Sequence, residues 1–211
     1  MVTEVKKMTG YHRVTFSDGA SLRVPEALFY DFRVHTGDQV DRASYEALLS
    51  SHAYEYALDR AARALTARDA TEKEIEKKLL SAGYPEQAVA RVMEVLTRYE
   101  FISDERYAER YVSSRSSRYG RGRILTELRR KGVEEDTVRE ALEALSPEDE
   151  AEAALAQARK LCARRDLTDR ADRQKAVAAL VRRGFSWSLA AQAVQRLSGR
   201  EDDEEGGWED P

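Results

Sequence analysis

Three stretches of the sequence align with one another without a gap, and this internal repeat constrains the fold more than any other feature. The copies run from Glu74 to Leu96, from Arg123 to Leu145 and from Lys175 to Leu197. Each copy carries a leucine, a glycine four residues later and an apolar residue directly after the glycine. These residues are Leu79, Gly83 and Tyr84, then Leu128, Gly132 and Val133, then Leu180, Gly184 and Phe185. Glycine takes the left-handed conformation that ends a helix at little cost, so the pattern predicts a helix, a stop and a second helix.

The spacing of the repeat indicates the architecture. Successive glycines lie 49 and 52 residues apart, which suits units of about three short helices that bury their apolar faces against neighbouring units. Near the N-terminus, apolar and polar residues alternate in Tyr11 to Phe16 and in Ala20 to Val24, around a Ser17-Asp18-Gly19 turn, which predicts a β-hairpin. We therefore expect a mainly α fold, with three tandem three-helix repeats in an elongated curved array behind a small α+β module with a hairpin.

Local signals place the element boundaries. Thr71 and Glu74 form a capping-box pattern, Pro85 marks the start of a helix, and Ser146-Pro147 opens the third repeat. The predicted divisions are an N-terminal α+β module at 1–52, helical repeats at 53–102, 103–146 and 147–198, and an acidic, disordered tail at 199–211.

Composition argues against several classes of protein. Cys162 is the one cysteine, so an intrachain disulfide or thiolate cluster is excluded and a small core filler is expected. The three histidines lack metal-ligand spacing, and catalytic-triad and phosphate-loop signatures are missing, so we expect neither an enzyme nor a cofactor or metal. The sequence shows no apolar run of about 20 residues and no signal-peptide core, which predicts a cytoplasmic protein without membrane contact.

The charges are segregated along the chain. Residues 201–211 hold seven of the 39 acids and no base, so residues 1–200 carry 35 bases against 32 acids. Two interpretations of the acidic tail remain open: a disordered, solubilising end, or an intramolecular competitor that covers a basic surface until a polyanion displaces it.

The segment from Arg106 to Lys131 is the most basic part of the chain, with nine bases against Glu109 and Glu127. Tyrosines, serines and glycines are interleaved with these bases. Arginine forks pair with phosphates or carboxylates, so the segment fits a contact surface, but it equally fits a solvated helix face that ends in a flexible loop. Tyr107 and Tyr111, four residues apart, are expected in the core rather than as stacking platforms.

The repeated helix, turn and helix also raises the possibility of a DNA-reading helix-turn-helix. In two of the three copies the helix after the glycine is acidic, with Glu134, Glu135, Asp136, Glu140 and Glu143 in the second. A helix that faces phosphates should not carry this charge, so we expect the helices to serve mainly as a scaffold.

The run from Phe101 to Arg115, followed by Gly120, Ile124, Leu128, Arg129, Lys131 and Gly132, resembles the RecX family of RecA regulators. The family pattern is an apolar pair, Ser or Asp with Asp, aromatic-Ala, aromatic-Val, Arg and later Leu-x-x-Lys-Gly. Tyr107 and Tyr111 stand where Phe and Trp are common in the family. The resemblance covers residues 54–197 and leaves out the N-terminal module and the tail.

The resemblance implies a non-enzymatic, mostly negative modulator of RecA that acts in homologous recombination, DNA repair and the SOS response. Such a protein lodges in the groove of a RecA filament on single-stranded DNA and limits filament growth, ATP hydrolysis and strand exchange. The implied partners are the RecA filament and DNA, contacted directly or through the filament by a monomer. The candidate RecA- and DNA-binding residues are Arg110, Arg115, Arg118, Arg121, Arg123 and Lys131, with Arg129 and Arg130 secondary. The alternative is a stand-alone helical repeat protein that binds single- or double-stranded DNA.

Overall fold

The structure, a computed structural model, describes residues 1–199, and these belong to two compact units divided between Tyr107 and Ala108. The acidic tail expected at 199–211 therefore lies, beyond Gly199, outside the described residues. The described part of the chain is mostly helical, with one three-stranded antiparallel sheet in the first unit.

The sheet of the first unit has the order β1-β2-β3, with β1 at Val2–Lys7, β2 at Tyr11–Phe16 and β3 at Ser21–Pro25. Strands β2 and β3 form the predicted hairpin, which Gly19 turns with a φ of 81°. Strand β1 was not predicted. It pairs with β2 along its length, with a register shift between Val2 and Glu4.

Four helices complete the first unit: α1 at Glu26–Asp31, α2 at Arg42–Ala67, α3 at Glu72–Ser81 and α4 at Glu86–Arg98. Helix α2 contains neither glycine nor proline, so it runs unbroken for 26 residues and passes through position 52, where the sequence suggested a division. The Thr71–Glu74 capping box is confirmed at the start of α3, and Pro85 is the residue that precedes α4.

The sheet and helices α1 to α4 share one hydrophobic core, which places the hairpin against the first glycine stop. Gly83 has a φ of 90°, and a Cβ added there would lie 3.2 Å from the Cβ of Tyr11. Arg23 of β3 donates hydrogen bonds from Nη2 to the carbonyls of Leu80 and Ser81, at 3.4 and 3.3 Å. The N-terminal module therefore donates to carbonyls in the last turn of α3, of which that of Leu80 also accepts from the amide of Gly83 at 3.0 Å.

The remaining helices are α5 at Asp104–Arg115, α6 at Arg121–Lys131, α7 at Glu135–Glu143, α8 at Pro147–Cys162, α9 at Arg170–Val181 and α10 at Trp187–Ser198. The division between the units falls within α5. The glycine stops after α6 and α9 are confirmed, because Gly132 and Gly184 have φ values of 96° and 88°. Val133 and Phe185 fold back into buried positions, as expected.

Helices α8, α9 and α10 enclose a core built largely from alanine, with Leu180 and Phe185 as its largest fully buried members. Cys162 lies in this core, which confirms its expected role as a filler, and burial raises the pKa of its thiol. Within residues 1–199, none of the helices combines the length and the apolar composition that a membrane span requires.

Candidate binding surface around helix α6

The eight basic residues predicted to bind a partner lie on α5, on α6 and on the turn that joins them. Arg110 and Arg115 are on α5 and Arg118 is in the turn. The other five are on α6, namely Arg121, Arg123, Arg129, Arg130 and Lys131. We refer to this set, together with the cleft described below, as the α6 surface.

A close backbone contact positions the start of α6 against the end of α9. The amide of Gly120 donates to the carbonyl of Arg183 at 3.0 Å, and the amide of Gly122 donates to the carbonyl of Gly184 at 3.1 Å. Amides at a helix N-terminus and carbonyls at a helix C-terminus lack partners within their own helices, so each end satisfies the other. The sequence Gly120-Arg121-Gly122 is thus a joint between the second and third repeats rather than the flexible loop of the alternative interpretation.

Arg121 is held inside this joint by contacts within the fold. Its Nε lies 2.9 Å from Glu150 Oε2, and its two terminal nitrogens donate to the carbonyls of Leu142 and Leu145 at the end of α7. The Arg121 amide also donates to Glu150 Oε1 at 3.1 Å. Arg121 therefore ties the starts of α6 and α8 to the end of α7, and much of its hydrogen-bonding capacity is already used.

A network around Glu127 orients a second arginine. Arg123 Nε lies 2.9 Å from Glu127 Oε1, and Tyr111 Oη donates to the other carboxylate oxygen. The Tyr111 hydroxyl, followed by Arg123, lowers the pKa of Glu127 below its usual value, while burial raises the pKa of Tyr111 and Glu127 adds to the increase. In the sequence, Glu127 was noted only as one of two acids within the basic segment. In the structure, it orients the side chain of Arg123.

The sequence predicted that Tyr107 and Tyr111 lie in the core, but the tyrosines of this surface are not fully buried. Tyr107 and Tyr111 are half-buried. The guanidinium of Arg115 lies 5.4 Å from the centre of the Tyr111 ring, and that of Arg123 lies 4.2 Å from the centre of the Tyr119 ring. One face of each ring is thus covered by the protein's own arginine, which reduces the ring surface available for stacking with a base.

The remaining predicted residues divide by whether they have partners. Arg129 pairs with Glu135 at 3.0 Å, and Arg110 and Lys131 are likewise engaged within the fold. Arg118 and Arg130 are exposed, and neither side chain has a hydrogen bond or ion pair anywhere in residues 1–199. Their charges are the ones most available to a partner.

An open cleft of about 830 Å³ adjoins α6. Arg121, Gly122, Arg123, Thr126, Glu127 and Arg130 line it from the second repeat, together with Glu150, and Val181, Arg182, Gly184, Phe185 and Ser186 line it from the third. Both of its acids are paired, Glu127 with Arg123 and Glu150 with Arg121. Arg130 and Arg182 keep unpaired charges there, so the cleft carries a net positive charge.

Arg182 is a candidate that the prediction missed, although the sequence contained a signal for it. When Gly132 and Gly184 are aligned, Arg182 and Arg183 fall on the positions of Arg130 and Lys131. A basic pair before the glycine stop therefore recurs in the second and third repeats. The structure places Arg130 and Arg182 on the lining of the same cleft.

Comparison with known proteins finds three matching family models in tandem. They are the first three-helix domain of RecX at residues 57–96, the second at 103–142 and the third at 148–194. The three matches together span more than half of the chain.

Whole relatives and solved structures agree with these matches. Proteins described as regulatory protein RecX match from Clostridium acetobutylicum, at 30% identity over 81% of this chain and 82% of the relative, and from Mycolicibacterium smegmatis, at 35% over 63% and 74%. A crystal structure of regulatory protein RecX superimposes with a TM-score of 0.63 at 29% identity, covering 89% of this chain and 95% of that one. A RecX structure from Lactobacillus salivarius gives 0.64 at 26%, covering 70% and 97%. The glycine-stopped repeats, the arginine-bearing α6 and these matches together establish that the chain belongs to the RecX family of regulatory proteins.

Proposed function

We propose that this protein is a negative modulator of RecA that acts in the cytoplasm. In this proposal it binds in the groove of the RecA filament on single-stranded DNA, and it limits filament growth, ATP hydrolysis and strand exchange without chemistry of its own. Membership of a family of regulatory proteins supports the class of function, and the α6 surface supports the mode of binding.

The observation that carries the binding mode is the group of unpaired arginines at the α6 surface. Arg118, Arg130 and Arg182 have no partner in residues 1–199, whereas Arg121 and Arg123 are held by Glu150 and Glu127. An arginine without an internal partner can offer its whole fork to a phosphate or carboxylate, because no contact of the fold must first be broken. We assign the partner contacts mainly to these three residues, and we assign positioning roles to Arg121 and Arg123.

The competing function is binding of bare DNA without a protein partner. The open, positively charged cleft is compatible with it. The covered faces of Tyr111 and Tyr119 and the acidic start of α7, with Glu135 and Asp136, argue against a stacking surface for a bare strand. The filament, which combines acidic protein groups with DNA, fits the surface better.

The test is the ATPase rate of RecA on single-stranded DNA with the purified protein titrated at ratios well below one per recombinase. The titration is made before and after filament assembly. We expect progressive loss of activity, and a triple variant with Arg118→Gln, Arg130→Gln and Arg182→Gln should need at least about tenfold more protein, corresponding to about 1.4 kcal/mol.

The control is a triple variant with Arg159→Gln, Arg164→Gln and Arg170→Gln, which removes the same charge from exposed positions that do not line the cleft. It should inhibit as the natural sequence does. No inhibition by the natural sequence, together with tight and strongly salt-dependent binding to bare single strands, would favour the DNA-binding alternative. Equal loss in both triple variants would show that the total charge matters and the α6 surface does not.

A further inference from the structure

The cleft beside α6 has two chemically different sides. Arg130 and Arg182 supply unpaired positive charge, while Val181, with 40% of its surface exposed, supplies apolar surface. Its two acids are held by arginines, so they do not oppose an anion as bare charges would. A nucleic acid backbone would use the charges and leave the apolar side uncovered. An acidic peptide that also carries a large apolar side chain would use both.

The chain itself contains such a peptide. Residues 201–211 comprise seven acids, no base and one tryptophan, Trp208. These residues lie outside the described part of the structure, so the match rests on their sequence and on the features of the cleft. The acids of this segment are complementary to the unpaired arginines of the cleft, and its tryptophan is complementary to the apolar side.

The attachment point of this segment is within reach of the cleft. Ser186 lines the cleft and directly precedes α10, whose 12 residues span about 18 Å. Gly199 follows the end of α10, and the twelve residues from 200 to 211 can extend to about 40 Å. Returning along the whole of α10 takes about six of these residues, so the segment can bring Trp208, Glu209 and Asp210 to the cleft.

We propose that the end of the segment 201–211, with Trp208, Glu209 and Asp210, occupies the cleft lined by Arg130 and Arg182, and that the segment competes there with the protein's partner. Tethering gives the segment an effective concentration on the order of 1 mM. With an intrinsic dissociation constant of about 0.1 mM, the segment weakens any competitor about tenfold, and a polyanionic partner that binds more tightly still displaces it. The inference concerns regulation of the surface on which the proposed function relies, but its test contains no recombinase, so the two can fail separately.

The experiment uses a fluorescein-labelled peptide of residues 200–211 and the full chain in two forms. One has the natural sequence, and the other has its seven tail acids neutralised by Glu→Gln and Asp→Asn substitutions at 201–205, 209 and 210. Fluorescence anisotropy at low salt gives the peptide affinity of each. We expect the neutralised chain to bind the peptide about tenfold more tightly than the natural chain, because the natural cleft is already occupied. The difference should disappear at about 1 M salt, where charges are screened within about 3 Å.

Two further variants in the neutralised chain test the location. Arg130→Gln with Arg182→Gln should weaken peptide binding at least tenfold, and the matched pair Arg159→Gln with Arg164→Gln should leave it within about twofold. Equal peptide affinity for the natural and neutralised chains would overturn the proposal and would indicate that any acidic occupant of the cleft comes from another molecule. Absence of peptide binding, or equal losses in the two arginine pairs, would overturn it as well.

Discussion

Gly120 and Gly184 approach each other so closely that a Cβ added to Gly120 would lie 2.3 Å from the carbonyl oxygen of Gly184. The two residues belong to different repeats, and the amides of Gly120 and Gly122 bind the carbonyls at the end of α9 on either side of this contact. The contact is between two backbones, so neither side can yield by rotating a side chain. It holds the start of α6 against the end of α9, and Arg130 and Arg182 line the cleft beside it.

Replacing Gly120 with alanine should therefore destabilise the second unit. The backbone conformation of Gly120, with a φ of −76°, suits alanine, so the cost is steric, and overpacking of this kind costs roughly 1–3 kcal/mol. Urea denaturation followed by circular dichroism measures the loss. Gly122→Ala is the matched control and should cost less stability. Its Cβ would lie 3.2 Å from the same oxygen, and replacing a helical glycine with alanine stabilises the helix by up to about 1 kcal/mol. An unchanged midpoint for Gly120→Ala would mean that the joint opens easily.

Substitutions at Arg121 and Arg118 should differ in their effect on stability, although both residues belong to the same basic segment. Arg121→Gln breaks the pair with Glu150, leaves the carbonyl of Leu145 without its side-chain donor and removes one donor from the carbonyl of Leu142, for an expected loss of about 1–3 kcal/mol in the free energy of unfolding. Arg118→Gln removes an exposed side chain without a partner in the described residues, so its unfolding curve should match that of the natural sequence. Unfolding in urea measures both variants. Equal stability of the two would contradict the structural role of Arg121.

These contrasts show which features the sequence could predict. The glycine stops, the Thr71–Glu74 capping box and the β2–β3 hairpin follow from local rules, and each is confirmed. Strand β1 and the joint at Gly120 depend on partners elsewhere in the chain, and no local pattern encodes them. In the same way, the sequence does not show which of the basic residues form ion pairs with carboxylates of the fold.

Arg182 shows both what the sequence could predict and what it could not. The aligned repeats indicate its position, since it matches Arg130 before the glycine stop. The local sequence does not show that Arg182 shares a cleft with Arg130, because this depends on the backbone contact between Gly184 and the start of α6. The assignment of individual residues to partner binding stays a prediction.

The Glu127 network should make part of the stability dependent on acid. The pKa of Glu127 is lowered, first by the Tyr111 hydroxyl and then by Arg123, so the folded protein favours the carboxylate. A group whose pKa is lower in the folded state contributes stability above its unfolded pKa of about 4.5 and loses it as the pH falls through the folded value. The difference in Tm between the natural sequence and Glu127→Gln should be positive at pH 7 and should shrink below about pH 4.5.

Glu143→Gln, at an exposed position on α7, serves as the control for the general effect of removing one acid. Its Tm difference from the natural sequence should be small at pH 7 and should change little on acidification. If the Glu127→Gln difference is the same at pH 7 and pH 3, the carboxylate of Glu127 is not stabilised by its neighbours.

His12 provides the opposite case in the first unit, where burial favours the neutral form. Its ring stacks on Phe29 with centres 3.9 Å apart, and its buried Nδ1 has no hydrogen-bond partner in residues 1–199. Burial lowers the pKa of His12 below the usual 6.5, Lys7 and Arg33 lower it further, and Glu26 opposes the shift. Because the unfolded chain takes up this proton first, the contribution of His12 to stability is lost as the pH falls from about 6.5 through the lower folded pKa.

NMR titration of the imidazole C–H signals of His12, in the folded protein and in urea, measures the folded and unfolded pKa values. A folded pKa at or above the unfolded one would contradict the buried, neutral ring, whereas a lower value predicts that His12→Phe flattens the dependence of Tm on pH below 6.5.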